Sequence, residues 1–296
     1  MASNPDSDGG YVTLAVLLIV GLLAAVVSSL LAVSRPALGL ARIGSDEVAA
    51  EALLQGGVTT AAYLLLSAQL QPEKVQGMVL SLRSGEIRLT AVNDEAGRVD
   101  LNSADPTLLT GLFSTVGGNS MSGQAFAARI VDWRDQDGDV SEDGAEQGEY
   151  AEAEVGYGPS NLPFHSVEEM AFVLKLSQRD FDRLAPFVTV FSGRGKVDPI
   201  AASETVLRAI PGASRRDVLQ VLRAKKAGLE RSRILERAQA IAGYLLEKPS
   251  GVYRVRVEVR LVNGFSRAAE AVITAPQQGG ADYRVVAWSQ LASTAP

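Results

Sequence analysis

The sequence predicts an α+β protein in which a long N-terminal apolar helix leads into an antiparallel sheet that is split by a large α-helical insertion. An uncharged apolar run occupies residues 11–33, and blocks of alternating apolar and polar residues lie at 76–93 and 252–291. Between these blocks the pattern is helical and is interrupted by Pro and Gly. Strands so far apart can still share one sheet, because the cost of loop closure grows only slowly with loop length.

The first element is predicted to be a transmembrane helix over residues 11–34. Residues 11–33 contain no charged side chain, and a helix of this length spans a bilayer. A secretory signal peptide is the competing interpretation, but it requires a basic N-terminal region, whereas residues 1–10 contain two aspartates and no base. Arg35 and Arg42 follow the span, and two basic residues are too few to decide its orientation.

The rest of the chain is predicted to fold as a sheet domain with an inserted domain. The stem helix weakens near Pro36, one hairpin turns at Ser84–Gly85, and a second turns at Asn263–Gly264. The predicted parts are residues 35–97 for the stem helix and first hairpin, 98–248 for the inserted α-helical domain, and 249–296 for the C-terminal strands.

Within the insertion, helix starts are predicted from capping residues. Asp105 is an N-cap followed by Pro106 at the first helical position, and Ser166 with Glu169 has capping-box spacing. Farther on, Pro211–Gly212 separates two short helices.

Two of these helical units resemble the helix-hairpin-helix module, which in DNA-binding proteins offers backbone N–H groups to a phosphate. The first, around "STVGGNSMSG", has no base and precedes an acidic loop. The second keeps "IPGASRR" and has nearby bases: Arg215, Arg216, Arg223, Lys225 and Lys226. A solvated basic face near acidic partners is the favoured interpretation, and no nucleic acid is expected as a partner.

Composition narrows the possible functions. The net charge of −6 over 296 residues argues against a general nucleic-acid binder, because phosphate contacts need concentrated Lys and Arg. The chain has no cysteine, which excludes thiolate metal sites, and His165 is its single histidine. A zinc site built from several histidines and a histidine-based triad are therefore excluded, and no catalytic activity is expected.

The densest charge lies in residues 132–154, where Arg134 is the one base among many carboxylates. Counting from Asp135, carboxylates occupy the first, third, fifth and twelfth positions: Asp135, Asp137, Asp139 and Glu146. This is the carboxylate spacing of an EF-hand calcium loop. Val140 stands where that loop has Gly, so calcium binding is predicted without an EF-hand fold.

Three further acids, Glu142, Asp143 and Glu149, are predicted as reserve ligands, which gives enough oxygens for one or two Ca²⁺ ions. Magnesium is less suited, since it requires a tight octahedron and retains waters. A disordered acidic loop without an ion is the alternative.

The order of these parts, with "VDLNSAD", "IVDWRDQDGD", "GAEQGEY" and "LPFHSVEEM", resembles protein K of the general (type II) secretion pathway, a family of large minor pseudopilins. The resemblance implies a single-pass inner-membrane protein with its soluble domain in the periplasm. It also implies assembly with minor pseudopilins I and J at the pseudopilus tip, a role in pseudopilus initiation and protein export, and calcium in the inserted domain.

The resemblance further implies that a prepilin peptidase cleaves after Gly10 and methylates the new N-terminus, with residues 1–10 as the leader. Tyr11 would then be the first residue of the mature protein and Ala15 the fifth. Most pseudopilins have Glu at the fifth position, and protein K resembles this chain in lacking it. A buried unpaired carboxylate in lipid is costly, which agrees with a subunit that has no neighbour ahead of it.

Two alternative functions remain open at the level of sequence. The helix-hairpin-helix units suggest a membrane-tethered DNA-handling protein of the competence type. The acidic cluster suggests a calcium-dependent hydrolase of the cell envelope, which is the weakest hypothesis because the chain has a single histidine.

Overall fold

The computed structural model describes residues 8–276 and 283–291, and it describes no side chains for residues 8–10 and 30–43. The helices are α1 Asp8–Ala62, α2 Pro72–Val75, α3 Pro106–Thr115, α4 Gly123–Arg134, α5 Gln147–Glu152, α6 Gln178–Leu184, α7 Glu204–Ala209, α8 Arg215–Lys226 and α9 Arg231–Arg237. The strands are β1 Val79–Leu82, β2 Gly85–Asp94, β3 Val99–Asp100, β4 Val188–Thr189, β5 Val252–Leu261, β6 Ser266–Thr274 and β7 Arg284–Leu291. The predicted α+β class is confirmed.

Helix α1, together with the short π-helix Tyr63–Ser67 that directly follows it, has two parts with different surroundings. Tyr11–Ser29 is 19 residues long, has a mean hydropathy of 2.6 and is entirely exposed, so its length and composition suit a membrane span. Gly44–Ser67 passes the same test of length and composition, but 39% of its apolar window is buried, because this part packs against the sheet. The α-helix continues through Pro36, where the sequence predicts weakening.

The sheet is antiparallel and its strands follow the order β1-β2-β5-β6-β7. Strands β2 and β5 are neighbours, with Ile87 opposite Val259, although the whole insertion separates them in sequence. The prediction that the two strand blocks share one sheet is confirmed. Gly57 lets α1 approach the sheet closely, since a Cβ there would lie 2.6 Å from Val257 and 2.8 Å from Ile87.

The first hairpin turns one residue earlier than predicted. Leu82 pairs with Gly85, so the turn consists of Arg83 and Ser84 rather than Ser84–Gly85. Gly85 instead begins β2 beside the backbone of Arg260 in β5, where a Cβ would collide. The glycine is therefore required by close packing between strands and not by the turn itself.

The insertion between β2 and β5 has a hydrophobic core of its own, in which the rings of Phe113 and Phe126 stack with centroids 4.8 Å apart. The core helices begin where the sequence predicts: the Asp105 carboxylate accepts the N–H of Thr107 at 2.8 Å, and Pro211–Gly212 separates α7 from α8. The predicted capping box at Ser166 is wrong, because Glu169 accepts the N–H of His165 and the segment is a 3₁₀-helix, Val167–Phe172.

The insertion also contains β3 and β4, a parallel pair that the sequence analysis missed, because each strand is only two residues long and shows no periodicity. A buried carboxylate ties this pair to the main sheet. Glu95 accepts a hydrogen bond from Thr189 in β4 and pairs with Arg254 of β5 at 2.5 Å. Arg254 also pairs with Glu270 of β6 at 2.6 Å, so one charged network fixes the insertion to the sheet.

Candidate metal centre

The acidic loop begins where helix α4 ends. Arg134, in the last turn of α4, donates hydrogen bonds to the carbonyl oxygens of Leu101 and Ala104 and thereby anchors the end of the helix. Asp135 is the C-cap residue, with its N–H donated to Val131 at 3.0 Å. The chain therefore enters the loop in a fixed direction.

Three predicted ligands converge beside this helix end. Oxygens of Asp135, Asp137 and Glu146 all lie within 4.8 Å of one another. Calcium–oxygen distances are about 2.3–2.6 Å, so two ligands on opposite sides of one ion can be up to about 5 Å apart. The spacing of these three carboxylates therefore fits a single calcium ion.

Buried oxygens around this cluster lack a hydrogen-bond donor among the described residues. They are one oxygen each of Asp132, Asp135, Glu146 and Asn161. A buried carboxylate oxygen without a donor is expensive, because it has lost water and gained nothing in exchange. A hard cation that prefers oxygen ligands would satisfy the free oxygens of Asp135 and Glu146, which belong to the converging group, so the donor set fits calcium.

The pKa shifts of the carboxylates in this cluster also favour a bound cation. Burial raises the pKa of Glu146, and the negative charges of Asp132, Asp135, Asp137 and Glu149 raise it further. Burial likewise raises the pKa of Asp135, with contributions from Asp137 and Asp132. Without a cation the cluster resists holding all its charges, and a divalent ion would reverse that preference.

The other predicted ligands lie outside the converging group. Asp139, Glu142 and Asp143 are exposed and are not members of it. Glu149 accepts the backbone N–H of Glu146 at 2.9 Å and forms the capping box of α5, so one of its oxygens is already engaged. Calcium itself, and the full ligand set, remain predictions.

Two residues near the cluster were missing from the predicted ligand set. Asp132 is completely buried, and its Oδ2 accepts N–H groups of Ser141 at 3.2 Å and Ala145 at 2.8 Å, which folds the loop back onto α4. Asn161 donates to the carbonyl of Asp137 at 3.2 Å. Asp132 could have been found from its place one helical turn before Asp135, whereas no spacing signal marks Asn161.

An aromatic cluster lies next to the acidic loop. Trp133, adjacent to Asp132, stacks on Phe164 with centroids 5.7 Å apart and also contacts Tyr150. The Tyr150 hydroxyl accepts the N–H of Leu174 at 3.0 Å, and burial raises the pKa of Tyr150 to about 12. Packed aromatic side chains, Trp133 before the acidic loop and Tyr150 after it, therefore hold the two ends of the loop.

The predicted processing residues lie at the other end of the molecule, in the first turns of α1. Gly10 is within the helix, and Tyr11 is 80% exposed. Residues 1–7 of the predicted leader lie outside the described part of the chain.

Comparison with known proteins gives a consistent set of similarities. Residues 85–193 match the family described as type II secretion system (T2SS), protein K. The type II secretion system protein K of Pseudomonas aeruginosa is 31% identical over 136 residues, which cover 43% of this chain and 40% of that protein. The matched region thus spans well under two thirds of that relative.

A similar fold occurs in the crystal structure of the GspK-GspI-GspJ complex from the enterotoxigenic Escherichia coli type 2 secretion system. The match has a TM-score of 0.59 and 19% sequence identity, and it covers 85% of this chain and 100% of the other chain.

Proposed function

We propose that this chain is a member of the protein K family of the type II secretion system and acts as a minor pseudopilin. In this role it forms part of the pseudopilus tip, supports initiation of the pseudopilus and so serves protein export across the outer membrane. The observation that carries the proposal is the family match over residues 85–193, which includes β2, the acidic loop and the parallel pair β3-β4.

The proposed location follows from α1. An exposed apolar segment at Tyr11–Ser29 joined to a folded sheet suits a single-pass anchor in the inner membrane, with the soluble domain in the periplasm. A prepilin peptidase would cleave between Gly10 and Tyr11 and methylate the new terminus, which leaves the apolar segment at the very start of the mature chain.

The proposed partners are the minor pseudopilins I and J of the same system. The structure with a similar fold is of a complex of GspK, GspI and GspJ, which supports a comparable assembly here. The exposed segment Tyr11–Ser29 of α1 provides the surface, because an apolar helix can pack beside similar helices in the bilayer. The function is assembly, and no catalytic role is proposed.

The proposed cofactor is calcium, held by Asp135, Asp137 and Glu146 with buried oxygens of Asp132 and Asn161 close by. Calcium would balance the negative charge of these carboxylates, which Arg134 offsets only in part at Asp135. The protein itself holds the loop in shape, because Asp132 accepts hydrogen bonds from the backbone N–H groups of Ser141 and Ala145. The ion would therefore stabilise the insertion and would not take part in a reaction.

One experiment tests the proposal directly. The full chain, purified from membranes with calcium present, should bring with it two small pilin-like proteins, and deletion of its gene should stop secretion while the other components remain. Loss of secretion restored by the intact chain, without any substrate turnover by the purified protein, is the expected result. Normal secretion after deletion would contradict the proposal.

A further inference from the structure

The exposed face of helix α8 carries an unusual concentration of positive charge. At 100° per residue, its exposed side chains fall within about 100° of the helix circumference. They are Arg215, Arg216, Leu219, Arg223 and Lys226. In a chain of net charge −6, this basic face therefore stands out as a local reversal of sign.

The basic face is distinct from the packing face of the same helix. Val218, Val221 and Ala224 are buried in the core of the insertion. Lys225 points away from the basic face and donates to the carbonyl of Ala202 at 3.2 Å. One side of α8 is therefore packed against the core of the insertion, and the basic side is left exposed.

The charges of the basic face lack carboxylate ion-pair partners in the part of the chain that the structure describes. Within the described residues, none of its four bases forms an ion pair with a carboxylate. The single acid of α8, Asp217, is engaged in the capping box with Ser214. The neighbouring helices α7 and α9, counted with the N-cap residue of α9, add no clear excess of positive or negative charge. Their exposed bases are Arg208, Arg233 and Arg237, and their exposed acids are Glu204, Glu230 and Glu236.

An apolar side chain lies in the middle of the basic face. Leu219 is 37% exposed although it is surrounded by arginines and a lysine. An exposed leucine ringed by charge resembles a small protein-binding surface, in which an apolar centre is buried and polar groups surround it.

Nucleic acid is a poorer fit. The carboxylate of Asp217 accepts the N–H of Ser214 at 3.0 Å, so an acid already occupies the hairpin end where a phosphate would bind. Residues 201–243 contain no Phe, Tyr or Trp on which a base could stack.

We propose that the basic face of α8 docks an acidic surface of a partner protein, with Leu219 in the centre of the contact. Charge complementarity brings the acidic surface to the four bases and orients it. Burial of Leu219 against an apolar side chain then retains the complex at physiological salt, where screening weakens purely electrostatic contacts.

The test uses the full chain in nanodiscs of zwitterionic lipid and two synthetic peptides of equal negative charge. One peptide alternates Glu with Leu and the other alternates Glu with Ala. At about 0.15 M salt the Leu peptide should bind more tightly than the Ala peptide. Leu219→Ala should abolish that difference, and Arg216→Glu with Arg223→Glu should weaken binding of the Leu peptide by at least about tenfold.

The matched control reverses two exposed bases elsewhere, Lys74 and Arg179, and should leave peptide binding unchanged. Melting curves of all variants show whether each remains folded. Equal binding of the two peptides, or no effect of the reversals in α8, would overturn the proposal. Tighter binding of a DNA duplex or of phosphatidylglycerol vesicles through the same residues would also overturn it, in favour of phosphate recognition.

Discussion

Asp132 and Gly144 fit together so closely that any side chain on the glycine would collide with the carboxylate. A Cβ built on Gly144 meets Oδ2 of Asp132, the same oxygen that accepts the N–H of Ala145 at 2.8 Å. Asp132 itself has no exposed surface and cannot move aside into solvent. The shape of the acidic loop therefore depends on this contact.

Gly144→Ala should destabilise the insertion by about 1–3 kcal/mol, because the added methyl group must displace a buried, hydrogen-bonded carboxylate. It should also weaken calcium binding, which calorimetry can measure. Gly138→Ala is the matched control in the same loop, since a Cβ there meets nothing within 4 Å. Equal effects of the two substitutions would contradict the role given to Asp132.

Removal of calcium should lower the melting temperature of the protein, because the converging carboxylates then repel one another. A bound ion adds RT ln(1 + [Ca²⁺]/Kd), about 2.7 kcal/mol at a hundredfold excess over Kd. Extracellular-type sites bind with Kd of roughly 10⁻⁴ to 10⁻³ M, so millimolar calcium should be enough to see the effect.

Asp137→Ala or Glu146→Ala should reduce the melting temperature in calcium to nearly the value measured with a chelator. Glu152→Ala should change it little, because Glu152 is exposed and lies outside the converging group. If a chelator leaves the wild-type melting curve unchanged and calorimetry detects no binding, the loop is only a solvated acidic segment.

Glu95→Ala should be strongly destabilising, by about 3–5 kcal/mol, because it leaves a largely buried guanidinium with one partner fewer. Glu95 is 1% exposed and pairs with Arg254 at 2.5 Å, and Arg254 keeps only Glu270 in the variant. Denaturant unfolding would measure the loss.

Arg88→Ala provides the comparison for Glu95. Arg88 pairs with Glu86 at 2.7 Å, but both side chains are about half exposed, so its loss should cost at most about 1 kcal/mol. Similar costs for the two variants would mean that the network at Glu95 does not fix the insertion to the sheet.

The mature protein should begin at Tyr11. Mass spectrometry of the chain purified from membranes is expected to show the loss of residues 1–10 and the addition of one methyl group. A substitution of Gly10 by a bulky residue should block the cleavage. An intact Met1 terminus in cells with an active prepilin peptidase would refute this prediction.

Much of the fold could be predicted from the sequence, because it depends on local patterns. Apolar continuity identifies the Tyr11–Ser29 segment, and the alternating pattern identifies β2, β5 and β6. Short or irregular elements could not be predicted from the sequence. The two-residue strands β3 and β4 have no period to detect, and the 3₁₀-helix Val167–Phe172 begins with residues that also favour an α-helix.

The sequence by itself determined which acids could meet, since alternate residues of a short loop and a twelfth-position Glu can reach one point. Only the tertiary structure decided that Asp135, Asp137 and Glu146 converge while Asp139 is left exposed. It also brought in Asn161, whose position depends on the packing of a separate segment beside the loop. Spacing along a chain limits local reach, whereas contacts between distant residues arise only when the core that carries them has packed.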